Sequence, residues 1–192
     1  MQPIEYLTYK KTGESAVEVN DPFFNQKPVD EFVWSSLCQS IRRDIVGDAP
    51  YIVNNLRVLN KLPGRRNTLI HTDYMWVNSP SRRDISFSLH IQLTDPCESD
   101  GGVAYLPRTH RTWNKGRIRE MPMGDYSGFQ TILKKKGEIV VLNSGVIHGS
   151  LLNTTQHRRV SLFVEFVSLA EALVCKHPRM GLREENKRYI FT

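Results

Sequence analysis

The stretch GEIVVLNSGVIHGSLLNTTQHRRVSLFVEFV, residues 137–167, decides the fold. Two strand-length apolar runs, IVVL and VSLFVEFV, are divided by turn residues at Asn143 to Gly145 and by the polar segment NTTQHRR. A strand sends residues i and i+2 to the same face. Arg158 therefore joins Val160, Leu162 and Val164, while Arg159 joins Ser161 and Phe163. The first set suits an outer face packed on a helix. Arg159 is thereby directed inward, where a buried guanidinium requires an anion. A bidentate carboxylate is its natural partner; a salt bridge to Glu138 or Glu165 is the alternative within the chain.

The same texture extends back to Tyr51. YIVNNLRVLN, NTLIHTD, DISFSLHIQLT, GGVAYLP and GFQTIL follow one another, with turns at Pro63-Gly64, residues 78–80 and residues 100–102. About eight strands without alternating helices exclude a doubly wound α/β fold and favour a sandwich or jelly-roll barrel. Ahead of them, VDEFVWSSLCQSIRRDIV at 29–46 carries apolar residues at Phe32, Val33, Leu37, Ile41 and Ile45. That spacing predicts one amphipathic packing helix, ended near Gly47. The expectation is a single domain over 1–192. It comprises an N-terminal segment and helix (1–50), a jelly-roll core (51–168) and a C-terminal tail (169–192).

Composition narrows the function classes. With 40% hydrophobic and 24% charged residues, the chain reads as an ordinary globular protein. No apolar run is long enough to span a bilayer, and MQPIEYLTYKK lacks a signal-peptide pattern, so a cytoplasmic protein without a membrane partner is expected. Cys38, Cys97 and Cys175 are scattered, which argues against a thiolate metal site. The net charge of +6 is spread over several loops, as a solvated surface would be.

Two histidines and an aspartate carry the chemistry. In HTDYMW, residues 71–76, His71 and Asp73 share a strand face. Alone, that pair is either a metal site or a polar strand end. His148, in GVIHGS, ends a later apolar strand, and Gly149 beside it permits close approach. Two imidazoles and one carboxylate form the facial triad that leaves positions open on a non-haem Fe(II) ion. Zinc accepts the same donors, so donor type alone leaves the metal undecided.

HTD, HIQLTDPCESDGGVAYLPRTHR and GEIVVLNSGVIHGSLLNTTQHRR, in this order, resemble the phytanoyl-CoA dioxygenase-like family of Fe(II)/2-oxoglutarate oxygenases. The resemblance spans roughly residues 56–167 and implies a double-stranded β-helix, a cupin-like jelly roll. It also implies His71, Asp73 and His148 as iron ligands. Arg159 and Ser150 would hold the distal carboxylate of 2-oxoglutarate, and Asn153 would form a turn. Asn60 and Asn67 are candidates for further co-substrate contacts. Where the family reads Pro-Gly-Ser-His, this chain has Pro107-Arg108-Thr109-His110, which puts a cation near the mouth. The chain is also short for the family ahead of the barrel. Part of the substrate enclosure is then absent or supplied by another subunit, and a homodimer is a state to test.

The implied reaction couples decarboxylation of 2-oxoglutarate, with dioxygen, to hydroxylation of an unactivated C–H bond, releasing succinate and carbon dioxide. A small anionic or amino-acid-like metabolite is the expected substrate. Tyr74, Trp76 and Arg108 are its candidate contacts. Arg82, Arg83, Arg111 and Arg117 flank the mouth and read as a solvated rim. Asp73, where a halogenase would carry Gly or Ala, argues for oxygenation. Nucleic-acid demethylases of the superfamily typically carry a second arginine soon after the first. None follows Arg159 before Arg179, which argues against a nucleic-acid partner. The rival class is a non-enzymatic or differently metallated cupin-like binder of small molecules. Of the other histidines, His90 reads as a hydrogen-bonded wall residue, His110 as fold support, and His157 and His177 as exposed loop residues.

Overall fold

A computed structural model describes residues 17–20, 27–64, 70–73, 86–111, 127–132, 135–175 and 182–192. Strand β1 (Val17–Asn20) and helices α1 (Lys27–Val33) and α2 (Ser36–Val46) lead into the long β2 (Tyr51–Lys61). The short strands β3 (Phe87–Gln92), β4 (Val103–Tyr105), β5 (Gln130–Thr131), β6 (Ile139–Asn143) and β7 (His148–Ser150) follow. The chain then forms β8 (Arg159–Ser168), α3 (Leu169–Val174) and β9 (Ile190–Phe191). Six strands form one sheet in the order β1-β2-β8-β3-β6, with β9 also on β2, and β5-β4-β7 form a second. All the pairings are antiparallel. This is the mainly β, jelly-roll architecture that the strand texture predicts.

Each long strand of the large sheet has two different faces. Leu56 of β2, Leu89 of β3 and Val164 and Phe166 of β8 are fully buried and join Val33 and Cys38 of the helices in one core. Burying each large apolar side chain contributes about 1.5–3 kcal/mol. Phe87 stacks on Phe166 with centroids 5.0 Å apart. The parity assigned to residues 158–164 holds, with Leu162 and Val164 in the helix-facing core. The opposite face carries Lys61, Arg159, Ser161, Phe163 and Glu165, and this polar row lines the inside of the jelly roll.

The predicted helix over 29–46 is two helices. Ser35 takes an extended conformation, accepts a hydrogen bond from the Cys38 amide at 3.2 Å and donates to the Phe32 carbonyl at 2.7 Å. A serine that satisfies both flanking ends ends one helix and caps the next. The break rotates Leu37 out to 56% exposure, and Cys38 takes the buried position instead. Burial pushes the Cys38 thiol up to about 12, so it packs as a neutral apolar group. Trp34, at the break, lies 4.7 Å from the Phe191 ring of β9.

A second irregularity lies in β2. Its register with β8 slips between Val53 and Asn55, so Asn54 is the extra residue of a bulge. Bulges re-aim one side chain and sharpen the local twist. Here the Asn54 amide donates to Oε2 of Glu165 at 2.8 Å, on the inner row. The Asn54 carbonyl accepts from Arg183 at 3.1 Å, and the Val53 carbonyl accepts from Asn186 at 3.1 Å, so the C-terminal segment is fastened across this end.

Candidate metal centre

His148 is the N-terminal residue of β7, one of the shortest strands in the fold, yet its position is fixed from both sides. Its backbone exchanges two hydrogen bonds with His71, at 2.8 and 2.9 Å, and pairs with Tyr105 on the other side. Asp73 lies two residues beyond His71. One potential ligand atom from each of His71, Asp73 and His148 lies within 4.8 Å of the others. Oδ1 of Asp73 is 3.5 Å from Nε2 of His71 and 3.7 Å from Nε2 of His148.

The protonation states suit a cation. Nδ1 of His148 lies 2.9 Å from the Val146 carbonyl, which can only accept, so that nitrogen carries the proton and Nε2 presents a lone pair. Burial holds the His148 imidazole below its ordinary value and therefore neutral. Burial alone would raise the Asp73 carboxyl, but the histidines beside it prevail and keep it ionised, well below the usual range. Oδ2 of Asp73 is buried and has no hydrogen-bond partner among the described residues. An orphaned carboxylate oxygen costs about 1–3 kcal/mol or more when nothing compensates it. Two imidazoles and one carboxylate with this unpartnered oxygen fit a divalent metal. His71, with 19% of its side chain exposed, marks the open side.

Sequence reasoning put Arg159 and Ser150 together, and the fold brings them to one cluster with a residue it missed. Lys61 is the cross-strand partner of Arg159 and is equally buried. Its ammonium donates to Oγ of Ser150 at 2.8 Å, to the Gly101 carbonyl at 3.0 Å and to the Leu151 carbonyl. Burial, with Arg159 adding to it and Asp100 opposing, lowers Lys61 to about 7. Arg159 is lowered by burial and supported by Asp100, whose Oδ1 is 3.8 Å from its Nε. Asp100, rather than the alternatives Glu138 and Glu165, is thus the carboxylate of the chain beside Arg159. Asn60 shares a face with Val58 and Leu56, away from Arg159, so its neighbour Lys61 supplies the inward group. Parity from Arg57 and Leu59 could have indicated Lys61, but only with the β2–β8 register in hand.

Gly101 makes this cluster possible. It has φ +76°, and a Cβ there would stand 2.5 Å from the Leu151 carbonyl, 2.8 Å from the Lys61 ammonium and 2.9 Å from the Asn153 amide. Asn153 is fully buried, donating to the carbonyls of Lys61 and His157 and accepting from the Thr155 amide, as a turn former should.

The wall beside the metal cluster belongs to β3 and β8. Nε2 of His90 is 3.1 Å from Oγ of Ser88, and its ring meets Phe163 edge-on at 5.0 Å and His148 at 6.3 Å. His90 is therefore the hydrogen-bonded wall residue expected. Arg108 is exposed and has φ +67°, the one positive φ outside glycine among the described residues. Thr109 beside it links Leu106 to the amide of Ile147, next to His148. His110 and His157 are exposed, and among the described residues it is Thr109 that supplies the link. Tyr74, Trp76, Asn67, Arg82, Arg83, Arg117 and His177 lie outside the described residues. No described helix is long and apolar enough to cross a membrane.

Comparison with known proteins adds to this geometry. A model of the phytanoyl-CoA dioxygenase family matches residues 6–161. An ectoine dioxygenase of Nocardia farcinica is 26% identical over 198 residues, covering 88% of this chain and 65% of that enzyme. The chain therefore spans about two thirds of that relative's length. Among solved structures, the non-haem α-ketoglutarate-dependent carbocyclase SnoK from nogalamycin biosynthesis superposes with TM-score 0.71 at 20% identity, over 91% of this chain and 75% of SnoK. EctD from S. alaskensis, with 2-oxoglutarate and 5-hydroxyectoine, gives TM-score 0.65 at 18% identity, over 80% of this chain and 57% of EctD. At these identities the structural likeness speaks for the fold alone.

Proposed function

From the premise that the chain belongs to the phytanoyl-CoA dioxygenase family, we propose that it is an Fe(II)- and 2-oxoglutarate-dependent dioxygenase. Its reaction hydroxylates a small metabolite and releases succinate and carbon dioxide. The observation that carries this reading is the His71–Asp73–His148 cluster, whose buried Asp73 Oδ2 is without a hydrogen-bond partner among the described residues. Bound Fe(II) would supply dioxygen activation coupled to oxidation of the 2-oxo acid.

The chain's own residues supply the rest. His148 donates through Nδ1 to the Val146 carbonyl, which fixes its ring for coordination through Nε2. Arg159 and Lys61 together offer guanidinium and ammonium donors to a distal carboxylate, with Ser150 between the Lys61 head and the strand. Asp100 balances this pair of cations until the anion arrives. Phe163 and His90 provide an apolar and aromatic wall that excludes water beside His148. Tyr74 and Trp76, which follow Asp73 in the chain, and Arg108 at the mouth complete the proposed substrate contacts.

Anaerobic addition of Fe(II) and 2-oxoglutarate tests the reading. A visible metal-to-ligand charge-transfer band, followed by succinate formation on admitting air, is the expected result. Bound metal without that band would instead favour a small-molecule binder of the cupin type.

A further inference from the structure

The inner row of the large sheet continues past Phe163 to groups that neither iron nor 2-oxoglutarate requires. Arg57 is the cross-strand partner of Phe163 on β2, and its guanidinium lies 5.9 Å from the centre of that ring. Glu165, two residues beyond Phe163 on the same face, is 1% exposed. Asn54, also 1% exposed, is the bulge residue whose amide holds one Glu165 oxygen at 2.8 Å. Diagonal neighbours on one sheet face stand roughly 7–8 Å apart, a separation that the long arms of Arg57 and Glu165 span. The two attract each other, and Glu165 also senses Asp73. Phe163 in turn touches His90, which touches His148. The pair is thus joined to the metal cluster by one continuous wall, on the side away from Lys61 and Arg159.

A merely structural acid has little use for a bulge that re-aims an asparagine onto it, and bulges are frequent beside active sites. A buried acid and a half-buried guanidinium on this inner wall offer a carboxyl and a cation to one ligand, and an ammonium that reaches Glu165 would favour its ionised form. We propose that Arg57 and Glu165 select the substrate, Arg57 taking the carboxylate and Glu165 the ammonium of a small amino-acid zwitterion, with Asn54 positioning Glu165. The assignment rests on the oxygenase reading and names the substrate class for it. A zwitterion adds no net charge to the chamber, whereas a lone anion or cation would leave one member of the pair unmatched.

The test loads the protein anaerobically with Fe(II) and 2-oxoglutarate. It is then titrated with the common α-amino acids, each beside its matching primary amine and 2-hydroxy acid. Binding is read from the charge-transfer band and from the thermal midpoint. At least one amino acid is expected to perturb both, with its amine and hydroxy acid weaker by about tenfold or more, as for loss of one charge-assisted contact. Arg57→Gln should then bind the amine as well as the amino acid, and Glu165→Gln should accept the hydroxy acid equally. Arg57→Lys and Glu165→Asp should restore part of the discrimination, and all four variants should keep the wild-type affinity for 2-oxoglutarate. The inference is overturned if the wild type responds to no amino acid, if the variants keep their discrimination, or if they lose 2-oxoglutarate together with it. Absence of the charge-transfer band in wild-type protein would strike the oxygenase reading instead; the thermal midpoint with amino acids alone would still judge the pair.

Discussion

The two ends of β8 bury a cation and an acid by different means. Arg159 begins the strand and Glu165 lies on the same face near its other end, and both are almost fully enclosed. At the Arg159 end, beside the Asp100 and Ser150 side chains, backbone takes part: Lys61 is held by the Gly101 and Leu151 carbonyls, and Gly101 is fixed by space that no side chain can enter. At the Glu165 end the recorded partner is a side chain, that of Asn54, delivered by a bulge. Backbone geometry cannot adjust to a substitution, whereas side chains can. The Arg159 end should therefore be intolerant and suited to an invariant co-substrate, and the Glu165 end adaptable.

Substitutions can break or sharpen that contrast. The largest effect belongs to the metal cluster between the two ends. Asp73→Ala should abolish succinate formation from 2-oxoglutarate, and unchanged turnover would remove the assignment of the triad. Gly101→Ala should come next, because its Cβ meets two backbone atoms and the φ is left-handed. A loss of about 2–4 kcal/mol in denaturant unfolding is expected, with 2-oxoglutarate binding impaired as well. An ordinary surface-sized change would show the anchor end to be as adaptable as the other.

Lys61→Met should weaken 2-oxoglutarate by roughly 10- to 100-fold, the equivalent of one charged hydrogen bond. The pH dependence is diagnostic. Burial and Arg159 lower Lys61 to about 7, and a bound carboxylate would favour its charged form. Wild-type binding should therefore take up a proton and weaken as pH rises from about 7 towards 10.5, a slope that Lys61→Met removes. Calorimetry in buffers of different ionisation heat measures the proton uptake.

At the other end, burial, reinforced by Asp73, raises Glu165 from its ordinary 4.5 to about 8. A carboxyl raised in the folded state favours folding most below the unfolded value, and that contribution is lost as pH climbs through the folded one. Thermal midpoints of wild type and Glu165→Gln should therefore lie nearest each other below pH 4.5, and the variant should gain on the wild type up to about pH 8. Parallel profiles would mean that Glu165 titrates alike in the folded and unfolded chain. The smallest effect is expected at the mouth: Arg108→Gly relieves a left-handed φ of +67° and should stabilise by less than about 1 kcal/mol.

Much of this molecule was legible from local pattern. Alternating apolar residues separated by turns specify the strands, and strand parity alone turns Arg159 inward and Leu162 and Val164 towards the helices. The donor types at 71, 73 and 148 suggested a metal before any geometry was known. What local pattern could not supply were contacts between residues far apart in the chain. Lys61 meets Arg159 across 98 positions, and Asn54 meets Glu165 across 111, because of the β2–β8 register. The helix break at Ser35 escaped the periodicity because a cap and a mid-helix serine look alike in sequence, and packing of Trp34 on Phe191 accompanies the break. By itself, then, the sequence determined which faces of which strands are polar and which residues could bind a cation. Only the tertiary structure decided which of them meet, since register and bulge placement are set by pairing between strands.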